Sequence, residues 1–227
     1  MKTYHFEETI PLQKGALDVV NEIGTVEIRG YNGRSIIINI EARHMEINVS
    51  REDNTIFVHA QKEESWSDLG QTLSRWLNGE HPKANMTIQV PHDCETRAKT
   101  VTGKLTIADL SAPVTARVIT GQAKLKNLNG PVYAKTITGD LQYEGALPEL
   151  HHRFEAITGQ VRLKLLKEPN AHLDARTTTG HIQCDFPLAH RKADRYLMGG
   201  RLSGVLGNGT GHIKARVVTG SLQVTPA

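Results

Sequence analysis

The chain has 227 residues, 38% of them hydrophobic and 22% charged, with a formal net charge of +3, an ordinary balance for a folded globular protein. Aromatics are only 5%, while Gly, Val, Ile and Thr are plentiful, which favours strands and tight turns over helix bundles. No apolar run approaches the roughly 20 residues that a membrane helix needs, and two cysteines, Cys94 and Cys184, are too few for a disulfide scaffold and lack metal-ligand spacing.

The start, "MKTYHFEETIPLQK", has no apolar leader core, so as written the expected location is cytoplasmic, with membrane association as an alternative. Next comes "LDVVNEIGTVEIRGYNGRSIIINIEARHMEI", where Ile23-Gly24 is followed by Val26 and Ile28 at alternate positions. This predicts a first rung of paired strands, continued through "NTIFVHAQ" and "NMTIQVP". Between those two, "SWSDLGQTLSRWLNG" breaks the pattern: Trp66, Leu69, Leu73, Trp76 and Leu77 fall at helical spacing, predicting a short helical insertion near 65–78. The expected role of that helix is packing over the strands. A partner-binding face carried by Trp66 and Trp76 is the alternative.

Downstream a Thr-Gly pair keeps returning, at Thr102-Gly103, Thr120-Gly121, Thr138-Gly139, Thr158-Gly159, Thr179-Gly180 and Thr219-Gly220; the spacing is 18 residues at first, then 20, 21 and 40. With each Gly as zero, position −5 is small and apolar, with one exception: Ala98, Ala116, Ala134, Phe154, Ala175 and Ala215. Positions +2 and +4 are almost all apolar, and position +3 between them is polar. That is the period-two signature of strands with one buried face. Gly24, Gly103, Gly121, Gly139, Gly159, Gly180 and Gly220 are the predicted corners, because a residue without Cβ tolerates positive φ and close backbone approach. Ser111-Ala112-Pro113 and Asn129-Gly130-Pro131 supply second turns. A unit this thin cannot bury its own apolar face and must stack on its neighbours.

The expected fold is therefore all-β: a single-stranded β-solenoid with turns of about 18–21 residues, forming one elongated domain over 1–227. Its first rungs would occupy 1–60, the helical or loop insertion 61–86, and the Thr-Gly rungs 87–227. The last wide interval reads as a glycine-rich excursion before a return strand, where Pro226 would blunt the open edge. Cys94 and Cys184 would lie several rungs apart as free thiols.

The stretches "VVNEIGTVEIRGYNGRSIIINIEA" and "VTGKLTIADLSAPVTARVITGQAKLKNLNGPVYAKTITGDLQ" resemble a bacterial domain-of-unknown-function family labelled "putative adhesin", over roughly 15–60 and 87–225. The resemblance implies a β-solenoid on Ser/Thr-Gly-aliphatic repeats and an adhesin-like binding role, with a link to the bacterial cell envelope or its stress response. It brings no catalytic motif.

Charge is unevenly distributed: residues 1–95 carry a net −6 and residues 96–227 a net +9. Position −4 concentrates the positive charge in Lys99, Arg117, Lys135, Arg176 and Arg216, with Glu155 among them. Such a ladder is the candidate binding face for an anionic polymer, an anionic membrane surface or an acidic protein face, against the plainer reading of a solvated face that resists edge aggregation. Head-to-tail self-assembly, acidic half on basic half, is the structural alternative. At position −2 stand Val101, Ile119, Ile137, Ile157, Thr178 and Val218; a buried column is expected, since an exposed β-branched row invites aggregation.

Histidines His151, His152, His172, His181 and His212 are expected to be scattered over the surface without metal-ligand spacing. Asp109, Asp140, Glu144 and Asp185 sit at unmatched offsets, so a carbohydrate-active β-helix enzyme is the weaker alternative. The hexapeptide acyltransferase pattern fails, because the apolar offsets here do not recur every six residues. The expectation is a binding or scaffolding protein that is not an enzyme, with no cofactor, no metal and no specific nucleic-acid motif.

Overall fold

The structure, a computed structural model, describes residues 2–9, 15–63, 81–195 and 198–227. The strands are β1 (Lys2–Thr9), β2 (Ala16–Tyr31), β3 (Ser35–Arg43), β4 (Met45–Glu52), β5 (Thr55–Lys62), β6 (Lys83–Pro91), β7 (Glu95–Ala108), β8 (Val114–Lys126), β9 (Val132–Gly145), β10 (His151–Leu165), β11 (Ala171–Cys184), β12 (Ala189–Arg195), β13 (Gly200–Leu206) and β14 (Gly211–Pro226). They form one mixed, unclosed sheet in the order β1-β3-β6-β2-β7-β8-β9-β10-β14-β11-β13-β12, with β5 on β2 and β4 on β5. The all-β expectation holds. The predicted helix near 65–78, with Trp66 and Trp76, lies outside the described residues.

From β2 to β11 the ladder is parallel and in register: Gly24 pairs with Gly103, Gly103 with Gly121 and Gly121 with Gly139, and farther on Gly159 pairs with Gly220 and Gly220 with Gly180. Each of these strands is bent at its glycine, whose φ lies between 128° and 140°. A second constraint is steric. A Cβ on Gly121 would lie 1.9 Å from the carbonyl oxygen of Gly103, and a Cβ on Gly139 would lie 1.8 Å from that of Gly121. Thus the predicted corners stand in one file, each glycine seated on the carbonyl of the one before. Only a residue lacking Cβ satisfies both conditions.

The alternation read from the sequence sorts inside from outside. Ala98, Ala116, Ala134, Phe154, Ala215 and Ala175 are buried in one column, facing Leu105, Ala123, Leu141, Val161 and Leu222 from beyond the corner. Phe154 intrudes where its neighbours have Ala, and it packs on Tyr143 with ring centroids 5.7 Å apart. Tyr143 keeps its buried hydroxyl bonded, donating within reach of the carbonyls of Ala146 (2.6 Å) and Leu128 (3.2 Å), as a phenol in a core requires. Cys94 and Cys184 are both free, as expected.

Three expectations need correction. First, the last strand is not at an edge. β14 inserts between β10 and β11, with Pro226 opposite Leu165, so Pro226 protects no open edge; the path ends instead in antiparallel strands, β1 on β3 and β12 on β13. Secondly, the column at −2 faces out: Ile137 is 38% exposed, Ile157 39% and Val218 46%, and Val101 and Ile119 are half-buried. Alternation runs unbroken from −5 to −2, which puts −2 on the outer face. The glycine then resets the phase, leaving −2 and −1 together on the outside of the corner. Thirdly, the histidines are not all scattered, as described below.

Candidate functional site

The outward side chains before each corner make four parallel columns. Position −4 is the basic ladder, and register puts Lys99 beside Arg117, Arg117 beside Lys135, Lys135 beside Glu155, Glu155 beside Arg216 and Arg216 beside Arg176. Arg176 faces Arg201 on the next strand. Parallel strands lie about 4.8 Å apart, so long cationic side chains in such a column feel one another directly.

Neutralisation is uneven along it. Asp174 bonds Arg176 at 3.0 Å and Arg201 at 3.2 Å. Burial pushes the Asp174 carboxyl up, but the hydrogen bonds and charges of Arg176 and Arg201 outweigh this and hold it below its usual value. Glu155 bonds Arg153, two residues earlier on its own strand, at 2.7 Å, rather than the cations beside it in the column. Among the described residues, Lys99, Arg117, Lys135, Lys214 and Arg216 make no ion pair, and the buried Nε of Arg216 has no hydrogen-bond partner.

Position −6 contributes Arg97, Thr115, Tyr133, Arg153, Lys214 and Asp174. Tyr133 stands between two guanidiniums, with Arg117 at 5.6 Å and Arg153 at 5.5 Å from its ring centroid. Each contact contributes about 0.5–1 kcal/mol at an exposed site. The ring therefore acts as a spacer that holds two cations upright on either side of it.

Position −8 brings three histidines together. His151, His212 and His172 stand side by side across β10, β14 and β11, with His212 stacked on His172 at 5.3 Å between ring centroids and tilted against His151 at 4.6 Å. The signal was present in the sequence, since all three stand eight residues before a corner glycine. What was missing was the strand order that makes them neighbours. They line a shallow groove of about 540 Å³ with Tyr133, Arg153 and Lys214. His152 points the other way, into the core: its Nε2 lies 2.9 Å from the Pro148 carbonyl and its Nδ1 has no hydrogen-bond partner among the described residues. Burial lowers its pKa from the ordinary histidine value. His181 lies beyond the corner, away from the stack. No group of three or more His, Cys, Asp or Glu among the described residues is arranged to hold a metal ion.

The carboxylates weighed for catalysis do not converge. Asp109 receives Asn127 at 3.1 Å, Asp140 the Gln160 amide at 3.3 Å, Asp185 the Gln183 amide at 2.9 Å, and Glu144 pairs with Lys126 at 3.2 Å. Each is spent on a local neighbour.

No family model matches the chain, and no curated protein matches it. Among solved structures it is similar to a "putative cell adhesion protein" from Clostridium sporogenes, at 13% identity and TM-score 0.46, over 100% of both chains. It is also similar to a "putative adhesin" from Bacteroides fragilis, at 11% identity and TM-score 0.44, over 100% of this chain and 97% of that one. Likeness at this level assigns no function, so the geometry of the face has to carry the argument.

Proposed function

We propose that the chain is a non-catalytic β-solenoid binding module of adhesin-like type that contacts an anionic partner through the outward face before its glycine corners. One observation carries this reading: Lys99, Arg117 and Lys135 stand in direct register with no carboxylate of the described residues paired to any of them. Like charges directly opposite in a sheet cost about 0.2–1 kcal/mol per pair, a cost that an anionic partner removes on binding. Binding of this kind is steered by charge and weakens as salt shortens the Debye length from about 10 Å at 0.1 M. The sequence resemblance to adhesin-like solenoids agrees with such a role near a bacterial envelope. Self-assembly by stacking finds less support, because the strand path ends in antiparallel strands that do not continue the parallel ladder.

The test is titration of a soluble polyanion, dextran sulfate, at low and high salt. The native chain binds at low salt and loses affinity as salt rises. The triple variant Arg117→Glu, Lys135→Glu, Arg216→Glu binds at least about tenfold more weakly. Equal affinity of the two proteins overturns the reading.

A further inference from the structure

Beside the basic ladder runs a second feature that charge does not explain. Val101, Ile119, Ile137, Ile157 and Val218 form a column at the corner, each lying between residues whose register is fixed, such as Thr100 with Val118 and Thr102 with Thr120. With neighbours about 4.8 Å apart the column extends about 19 Å. Ile137, Ile157 and Val218 are exposed. On one side, two residues back along each strand and so about 7 Å away, stand Lys99, Arg117, Lys135 and Arg216, with Glu155 between the last two, paired to Arg153. On the other side the exposed Thr102, Thr120, Thr138, Thr158 and Thr219 present hydroxyls and methyls.

We propose that this ridge and its basic flank are a docking edge for the surface of an anionic phospholipid bilayer. The proposal rests on the anion-binding reading above and names the partner. A hydrated glycan or a polyphosphate supplies anions for Lys99, Arg117 and Lys135 but nothing apolar for the aliphatic row. The boundary between headgroups and acyl chains supplies both: phosphates at the height of the cations, and hydrocarbon into which a convex row of branched side chains sinks by about one side chain. Apolar burial and attraction to anionic lipid then add, as in interfacial proteins that lie on a membrane without crossing it. The threonine row faces the glycerol and phosphate oxygens, where a hydroxyl keeps its hydrogen bonds. The contact is shallow, so binding is reversible and depends on both terms.

The experiment is cosedimentation with vesicles of phosphatidylcholine alone and with vesicles of equal parts phosphatidylcholine and phosphatidylglycerol, run beside the dextran sulfate titration. The native chain sediments with the mixed vesicles at low salt and not with phosphatidylcholine alone. The variant Ile119→Thr, Ile137→Thr, Ile157→Thr keeps the branched shape suited to a strand. It is expected to bind the mixed vesicles about tenfold more weakly while holding dextran sulfate as the native chain does. Unchanged vesicle binding by that variant overturns the proposal, since the ridge then contributes nothing. Dextran sulfate binding without vesicle binding also overturns it, while leaving the anionic-partner reading standing. Loss of both in the native chain ends both readings.

Discussion

The two outward faces on either side of the glycine corner are built by the same strands, in the same register, on the same alternation, yet they carry different chemistry. Before the corner stand Arg97, Lys99, Arg117, Lys135, Arg153, Lys214, Arg216 and Arg176 against Asp18, Glu22, Glu95, Glu155 and Asp174. After it the outward positions hold Gln122, Gln142, Gln160, Gln183 and Gln223, the paired Lys126 and Glu144, and also Lys104, Lys124, Arg162 and Lys164, which make no ion pair among the described residues. The fold fixes inner columns tightly, because they must pack, and leaves outer columns free. Unpaired cations stand on both sides, but only before the corner do they flank a column of exposed aliphatics, Ile137, Ile157 and Val218, and the architecture did not demand that juxtaposition.

The corner itself is what both faces share, and breaking it gives the largest expected effect. Gly121→Ala would drive a methyl to 1.9 Å from the Gly103 carbonyl oxygen at φ 136°, so backbone must move in two strands. The expected loss is about 4 kcal/mol or more, read as a fall in the midpoint of thermal or denaturant unfolding, with both faces lost together. Gly145 sharpens the point. Its φ is similar at 146°, but the nearest atom to a Cβ there is the Asn127 nitrogen at 2.9 Å. Gly145→Ala should cost the conformational strain, about 1–3 kcal/mol, plus a small shift of the Asn127 backbone, and so less than Gly121→Ala. Equal losses at the two sites would mean that stacking of glycine on carbonyl is not what holds the file.

That file was legible in the sequence, and so were the alanine and leucine columns, because a strand's alternation and a corner's need for glycine are local demands. Two things were not legible. Rungs that share one set of offsets are interchangeable neighbours, so nothing local told that β14 would enter between β10 and β11 and bring His212 between His151 and His172. The long excursion through β12 and β13 gives the chain the length to return there. The outward side of the −2 column follows from the strand period and not from the composition of the column. Exposed β-branched rows are a hazard in general, and that general rule was set against the alternation of these particular strands, which points Ile137 and Ile157 outward. The physical period was the better guide.

Exchanging charge between the faces gives the next largest effect. Reversal of Lys124, Arg162 and Lys164 to Glu, all beyond the corner, changes net charge as much as reversal of Arg117, Lys135 and Arg216. If binding follows the placed ladder, only the second set should lower affinity for dextran sulfate by about tenfold or more, and the first should change it by a few-fold at most through the general field. Matching losses would show that overall charge, and not the face before the corner, governs binding.

The smallest effect concerns how pH erodes the shared core. His152 is buried with its pKa lowered, so the unfolded chain takes up its proton first as pH falls. Its stabilising contribution is complete above the ordinary histidine value of about 6.5 and is lost as pH drops through the depressed native value. Asp174, also lowered, acts in the same direction at lower pH, once the solution nears its unfolded value of 3.8. On the alkaline side the signs reverse. Burial pushes the Cys94 thiol up to about 12, helped by Asp93 and Glu95, and the Tyr143 phenol also to about 12. Their contribution is complete below about 9 for the thiol and 10 for the phenol and falls as pH climbs toward 12. Denaturant unfolding across pH should therefore show a plateau between neutrality and about pH 9. The slope below neutrality should flatten in His152→Gln and the slope above pH 9 in Cys94→Ala. If the acid limb kept its slope in His152→Gln, the buried imidazole would not be its origin.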